Sequence, residues 1–408
     1  MTIPTLAEFE DAAAFLGDVI TTTPVDVSDH LSAVLGAPVH LKFEHLQRTG
    51  SFKIRGAAYR LSRLSAEERA RGVVAASAGN HAQGVALAAQ KLGIPATIFM
   101  PLGVPVPKLL ATRGYGADVV LEGATFETPL KLAIEFAERT GAVLIHPYDH
   151  RDVIIGQGTL GLEVWDAVPD VETVLVGIGG GGLIAGVAAA IKARAAAEGR
   201  SVRIIGVQAE NSAAYPASLQ AHEPLTVKTT PTIADGIAVA RPGDVPFEII
   251  SELVDEVVTV TDDDIARALL VLLERAKQVV EPAGAVGVAA ILAGKVTATG
   301  PTVSILSGGN IDPLLMQRVV AHGLAASGRY MTLQIPLPDR PGQLARVSEL
   351  LAIVGANVIE VHHTRHGQGL QISEVILQLS VETRGEEHRR QVIDTLERAG
   401  FAPRLLED

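Results

Sequence analysis

Residues 174–191 constrain this chain more than any other stretch: they read VLVGIGGGGLIAGVAAAI, eighteen residues with no charge and six glycines. A run of that length sits at the lower edge of what crosses a bilayer. Gly179, Gly180, Gly181 and Gly182 stand near its middle. Glycine carries the largest ordering cost in a helix, so one continuous spanning helix is disfavoured. The run divides instead into a buried strand at 174–176, a polyglycine bend, and an alanine-rich helix from Leu183 to about Arg194. That is a strand–turn–helix step of an α/β protein, and no membrane association is expected.

The same alternation continues on both sides. Strands are predicted at 39–43, 73–75, 96–100, 117–121, 202–207 and 303–306, and helices at 56–64, 83–92, 108–113 and 128–140. Strands alternating with helices imply doubly wound, mostly parallel sheets with helices on both faces. After His322 the pattern changes. Residues 323–328, GLAASG, have the composition of a linker. From Met331 apolar residues alternate, and strand, helix, strand, strand, helix, strand follow in order: a small α+β unit of the ferredoxin-like βαββαβ kind. The expected division is a catalytic part of two α/β subdomains at 1–322, a linker at 323–329, and an appended domain at 330–408.

Charge and composition exclude several functions. A net charge of −12 over 408 residues, with no long basic run, repels a phosphate backbone, so no nucleic-acid partner is expected. Cysteine is absent, which removes disulfides, thiolate metal sites and a cysteine nucleophile, and fits a reducing cytoplasm. Residues 1–10 carry no basic patch ahead of an apolar core, so no signal peptide is expected.

Four segments could carry chemistry. The polyglycine bend suits an anion: missing side chains let phosphate approach backbone N–H groups, and the following helix adds partial positive charge. It lacks the lysine and hydroxyl of a P-loop and the spacing G-x-G-x-x-G, which disfavours a nucleotide. A turn made only for tight packing is the alternative, but four glycines exceed what a turn needs. In Ser51-Phe52-Lys53-Ile54-Arg55-Gly56-Ala57 the lysine stands between apolar residues at the start of a helix. Such surroundings lower an amine's pKa and favour Schiff-base chemistry with an aldehyde. An activated lysine beside a phosphate cradle points to pyridoxal phosphate. In Ser77-Ala78-Gly79-Asn80-His81-Ala82-Gln83-Gly84, at a helix start, backbone N–H groups could hold a substrate carboxylate, and Asn80 could donate to a phenolic oxygen. Plain helix capping by Ser77 or Asn80 reads equally well. Ser307-Gly308-Gly309-Asn310 follows a strand, where ligands of doubly wound sheets sit. A serine facing a pyridine nitrogen would leave that nitrogen unprotonated, favouring elimination over transamination.

Taken together, these motifs over residues 5–320 resemble the threonine dehydratases (threonine ammonia-lyases) of the fold-type II pyridoxal-phosphate family, whose fold is like that of the tryptophan synthase β chain. The resemblance implies that Lys53 is the catalytic amine joined to the cofactor aldehyde, and that Asn80 contacts the ring hydroxyl. It also implies that Gly179, Gly180, Gly181, Gly182 and Leu183 bind phosphate, and that Ser307 faces the pyridine nitrogen. Phe52 and Gly236 would lie on the two faces of the ring, while Ser77, Ala78, Gly79, Asn80 and His81 would bind substrate. Related cysteine and threonine synthases have aspartate after the lysine, where this chain has Ile54. Serine racemases carry a second serine as a base where this chain has Ala78, which cannot move a proton. The implied reaction is threonine to 2-oxobutanoate and ammonia, with serine slower. A serine dehydratase or racemase is the alternative on this scaffold, and a non-catalytic amino-acid-sensing regulator the alternative of another class.

Residues 330–408 resemble an ACT domain, with Asp339-Arg340-Pro341-Gly342 as its ligand turn. That resemblance implies an amino-acid effector, with isoleucine the candidate, at Asp339, Gly342 and Asn357 between two copies of a homodimer or homotetramer. A plain dimerisation module is the other reading. No metal site is expected. His362 and His363 point to opposite faces of a strand and are expected to hold no ion with His366. Glu210 matches a cation-binding position of related racemases, but Pro216 stands where those enzymes offer a carboxylate.

Overall fold

The computed structural model describes residues 3–125, 127–326, 328–365 and 373–406. The chain forms two compact units, Met1–Asp312 and Pro313–Asp408. The first holds two sheets. The larger runs Val25–Val27, Val39–Lys42, Thr302–Ile305, Thr173–Gly177, Arg203–Ala209, Glu256–Val260, with every pair parallel except the antiparallel first. The smaller runs Asp118–Leu121, Ala96–Met100, Val73–Ala76, Val143–Leu144, all parallel. Strands such as Val73–Ala76 and Thr302–Ile305 are wholly buried, as their unbroken apolar or small-residue runs require. Val25–Val27, Val143–Leu144 and Glu256–Val260 escape the sequence reading because they are very short or only partly buried.

One helix positions the site. Lys53–Ser62 begins three residues earlier than its apolar periodicity suggests, so Lys53 is its first residue. It packs between Asn80–Leu92 and Arg151–Ala167 through glycines. A methyl at Gly84 would lie 3.1 Å from the Lys53 carbonyl carbon, one at Gly56 2.8 Å from the Val153 oxygen, and one at Gly156 2.6 Å from the Arg55 oxygen. Backbone against backbone leaves little room for the helix to shift.

Behind that helix lies a buried ionic cluster. Arg55 is fully buried, with Nε 2.6 Å from Glu44 Oε2 and Nη1 2.7 Å from Glu163 Oε1. Lys42 Nζ donates to the second Glu163 oxygen at 2.6 Å and to the Thr23 carbonyl at 2.7 Å. Gln47 donates to Glu44 Oε1 at 3.0 Å, and Arg55 Nη1 reaches Thr159 Oγ1 at 3.2 Å. Two cations face two carboxylates. Burial alone would lower the Arg55 pKa, yet Glu44 and Glu163 raise it above its ordinary value.

In the second unit the helix Pro313–Ala326 runs into the stretch read as a linker. A four-stranded antiparallel sheet follows in the order Asn357–Thr364, Glu374–Glu382, Tyr330–Pro338, Arg404–Leu406. The helices Gln343–Ile353 and Glu386–Arg398 complete the expected βαββαβ order, with Leu333, Ile335, Val347, Leu377, Val392 and Leu396 in the core.

Replacing Arg55 by methionine strands the buried Glu44 carboxylate. The expected cost is about 3–5 kcal/mol in urea unfolding of the whole chain; a loss below about 1 kcal/mol would show that the cluster does not hold the helix.

Candidate active site

The carboxyl ends of strands from both sheets open onto one cavity of about 590 Å³, within the roughly 300–1,000 Å³ usual for small-molecule sites. Its walls include Phe52, Lys53, Ser77, Ala78, Gly79, Asn80, His81, Gly179, Gly180, Gly181, Gly182, Leu183, Gly236 and Ser307. Four segments spread over 255 positions, from Phe52 to Ser307, with Gly236 as a fifth, are thus brought together.

The polyglycine bend joins the Thr173–Gly177 strand to the Gly182–Ala197 helix. Gly181 caps that helix with φ +99°, a left-handed conformation that disfavours any side chain. A methyl there would strike the Tyr215 hydroxyl, which donates to the Gly180 carbonyl at 3.1 Å. A methyl on Gly180 would strike the Tyr148 ring, and one on Gly182 would lie 2.9 Å from Tyr148 Cβ. The loop is therefore clamped by two tyrosines. The first helical bond here is Ala185 N to Gly181 O, so the N–H groups at the bend have no intrahelical acceptor. Such donors could cradle an anion.

Lys53 is half-buried on the cavity wall. Its Nζ donates to the Pro147 carbonyl at 3.1 Å and lies 5.1 Å from the Phe52 ring centre. Desolvation pulls its pKa down to about 8, with Glu281 opposing. His81 Nε2 donates to the Ile145 carbonyl at 2.8 Å; burial, then Lys53, pushes its pKa down to about 3, so the ring is neutral. His146 is lowered too, by burial first, with Asp149 opposing and Lys53 lowering it further. The amine thus sits in a largely desolvated environment whose opposing charge is Glu281.

Plain capping does not describe the Ser77–Gln83 segment. The helix Asn80–Leu92 is capped by the backbone of Gly79, and Ser77 Oγ accepts from Gly79 N at 3.1 Å. The Asn80 side chain turns away into a polar chain: Nδ2 donates to Glu281 Oε1 at 2.7 Å, and Oδ1 accepts from Asn310 Nδ2 at 2.7 Å. Ser307 is buried, and its carbonyl accepts from Phe52 N at 3.2 Å, tying two motifs together. Glu281, Tyr148 and His146 also line the cavity, and sequence reasoning passed over them. The signal for Glu281 was a lone glutamate before Pro282 at a helix start, with nothing local to mark it.

Outside this cavity, Glu210 opens the short turn Glu210–Ser212 and is exposed. Among the described residues no group of three or more His, Cys, Asp or Glu could hold a metal, and no helix is long and apolar enough to cross a membrane. His362 and His363 are exposed on the Asn357–Thr364 strand; His366 lies outside the described residues. In the second unit Asp339 N donates to the Ser373 carbonyl at 2.8 Å, and its carboxylate lies 3.7 Å from Arg365. Gly342, with φ +89°, caps the Gln343–Ile353 helix, and Asn357 Nδ2 donates to Glu382 at 3.2 Å.

Residues 16–308 match the family described as "Pyridoxal-phosphate dependent enzyme". The chain belongs to that family. Residues 331–401 match the ACT domain. An L-threonine ammonia-lyase of Thermotoga maritima is 47% identical over 403 residues, covering 98% of this chain and 99% of that protein. A threonine deaminase from Solanum lycopersicum, in its processed form, superposes with TM-score 0.73 at 38% identity, covering 78% of this chain and 93% of the other. Maize serine racemase gives TM-score 0.73 at 36% identity, covering 80% and 99%.

The family's cofactor is pyridoxal phosphate, and the cavity of this pyridoxal-phosphate enzyme fits it. The bend offers an anion cradle that a methyl at Gly180 or Gly181 could not share with the tyrosines behind it. Lys53 offers an amine with a depressed pKa, and Asn80 and Ser307 offer polar groups on the same cavity. Gly181→Ala combines left-handed strain with a clash at Tyr215. It is expected to weaken pyridoxal phosphate binding at least about tenfold in absorbance titration, the effect of about 1.4 kcal/mol.

Proposed function

We propose that this chain is a threonine ammonia-lyase, converting L-threonine to 2-oxobutanoate and ammonia, with L-serine a slower substrate. The observation that carries the reading is the convergence of Lys53, the polyglycine bend, Asn80 and Ser307 on one cavity. The nearly full-length likeness to the Thermotoga protein supports it.

When bound, pyridoxal phosphate supplies an electrophilic aldehyde and a ring that accepts the electron pair left at an amino acid's α-carbon. Lys53 Nζ is the amine that would hold that aldehyde and would take the α-proton of the substrate. An amine with a pKa of about 8 is partly neutral near pH 7, as both tasks require. Gly179, Gly180, Gly181, Gly182 and Leu183 would hold the phosphate, with Phe52 and Gly236 beside the ring. Asn80 would serve the ring oxygen. Ser307 would offer the pyridine nitrogen a neutral hydroxyl, which limits the ring as an electron sink and favours β-elimination. Ser77, Ala78, Gly79, Asn80 and His81 orient the substrate carboxylate at a helix N-terminus. Ala78 carries no ionisable group, so a second proton cannot be delivered there and racemisation is disfavoured.

The appended unit, taken as 330–408 after a linker at 323–329, acts as an amino-acid sensor for the catalytic part at 1–322. Asp339, Gly342 and Asn357 line its effector site, and isoleucine is the effector. The assembly is a homodimer or homotetramer, and the enzyme works in the cytoplasm.

Keto-acid formation from L-threonine and from L-serine, each with and without isoleucine, tests the reading. Lys53→Ala is expected to lose at least about 10³-fold in turnover while remaining folded by circular dichroism; substantial residual activity would refute the assigned role. Removing residues 330–408 is expected to leave catalysis and abolish the isoleucine response. Unchanged sensitivity would assign the effector site elsewhere.

A further inference from the structure

Glu281 lies outside the four motifs, yet it is buried on the cavity wall and bonded to one of them. The hydrogen-bond chain around it assigns the amide orientation of Asn80. Asn310 Nδ2 donates at 2.7 Å to the Thr49 carbonyl and at 2.7 Å to Asn80 Oδ1, which uses both of its hydrogens. Asn80 must therefore present its oxygen to Asn310 and its nitrogen to Glu281, and that second contact is 2.7 Å. An amide nitrogen has two hydrogens, so one N–H of Asn80 remains on a residue that lines the cavity.

The carboxyl group is itself held in place. Glu281 N donates to the Gly308 carbonyl at 3.0 Å, and the Glu281 carbonyl accepts from Gly284 N at 2.9 Å ahead of the Pro282–Leu292 helix. A methyl on Gly308 would strike Glu281 Oε1, which explains why a glycine follows Ser307. The charged groups facing Glu281 come from three other elements: Asp235 on the Asp235–Ile237 turn, Lys108 on the Val106–Gly114 helix, and Lys53 on its own helix. Burial first, then Asp235, raises its pKa to about 7, with Lys108, Asn80 and Lys53 opposing. Lys53 in turn faces Glu281, His81 and His146.

We propose that Glu281 is a positioning residue that acts through Asn80: with Asn310 it fixes the Asn80 amide so that the remaining N–H is presented to the oxygen on the cofactor ring. The proposal deepens the functional reading above and rests on it. An acceptor at 281 should matter more than its charge for cofactor binding, because glutamine keeps an acceptor oxygen and alanine does not. The charge should show separately, since a carboxylate near Lys53 favours a protonated nitrogen there.

The test is a double-mutant cycle read by cofactor affinity and by the pH midpoint of the visible absorption band of the loaded protein. Glu281→Ala and Asn80→Ala are each expected to weaken pyridoxal phosphate binding about tenfold. The double variant should be no more than about twofold weaker than Asn80→Ala alone, while Glu281→Gln stays within about threefold of wild type. The band midpoint should move to lower pH in Glu281→Gln, with the sign set by loss of a negative charge. Thermal unfolding of the cofactor-free variants checks that each is folded. Multiplicative losses in the double variant, or Glu281→Gln as weak as Glu281→Ala, would overturn the proposal. So would wild-type affinity and midpoint in Glu281→Ala. If wild-type protein gives no borohydride-reduced adduct at Lys53, the functional reading fails together with this one; an adduct at Lys53 leaves only the role of Glu281 at stake.

Discussion

Arg55 sits two residues beyond Lys53 and anchors the helix that carries it. Its guanidinium is shared by Glu44, next to the Val39–Lys42 strand, and Glu163, on the Arg151–Ala167 helix. Each carboxylate has further partners, so the cluster is neutral and well satisfied rather than merely paired. Such a cluster adds little net stability over an apolar replacement, but breaking it is costly. Its geometric effect is larger: one cation fastens the start of a helix to a strand end and to a second helix. Close glycine contacts on both sides of that helix remove the remaining freedom. A reactive amine at its first residue inherits that rigidity.

The cavity separates two electrostatic tasks that would conflict if they shared atoms. In the proposed reaction, anion binding would fall to uncharged backbone N–H groups in a loop whose rear is closed by Tyr148 and Tyr215. Proton handling would fall to Lys53, beside His81 and His146, whose pKa values burial lowers. Because the anion site uses no lysine or arginine of its own motif, it adds no further positive charge beside the amine. The amine's pKa is then set mainly by desolvation, against the single opposing carboxylate of Glu281.

Much of this was legible in the sequence because the relevant signals are local. Four consecutive glycines between a strand and a helix, a lysine between Phe52 and Ile54, and Ser307 after a strand each announce themselves within a few residues. The alternating Met331, Leu333, Ile335 and Leu337 identified the core face of a strand, and all four are buried. What escaped depends on long-range pairing. Glu281 meets Asn80 across 201 residues, and Arg55 meets Glu163 across 108. No periodicity connects such partners; only the fold does. The helix start at Lys53 was placed late for a related reason. Its first turn is set by the buried Arg55 and by backbone contacts at Gly84, neither of which appears as an apolar repeat.

Lys42 and Lys53 are both drawn into the catalytic unit, yet they meet opposite fates. Lys42 is 1% exposed, and its ammonium is clasped between the Thr23 carbonyl and Glu163. Lys53 opens on the cavity, where its Nζ donates to the Pro147 backbone carbonyl. A carbonyl electrophile diffusing into the protein therefore encounters one sequestered nitrogen and one nucleophilic nitrogen. Chemoselectivity between two otherwise identical side chains is thus a matter of who their neighbours are, decided before any ligand arrives.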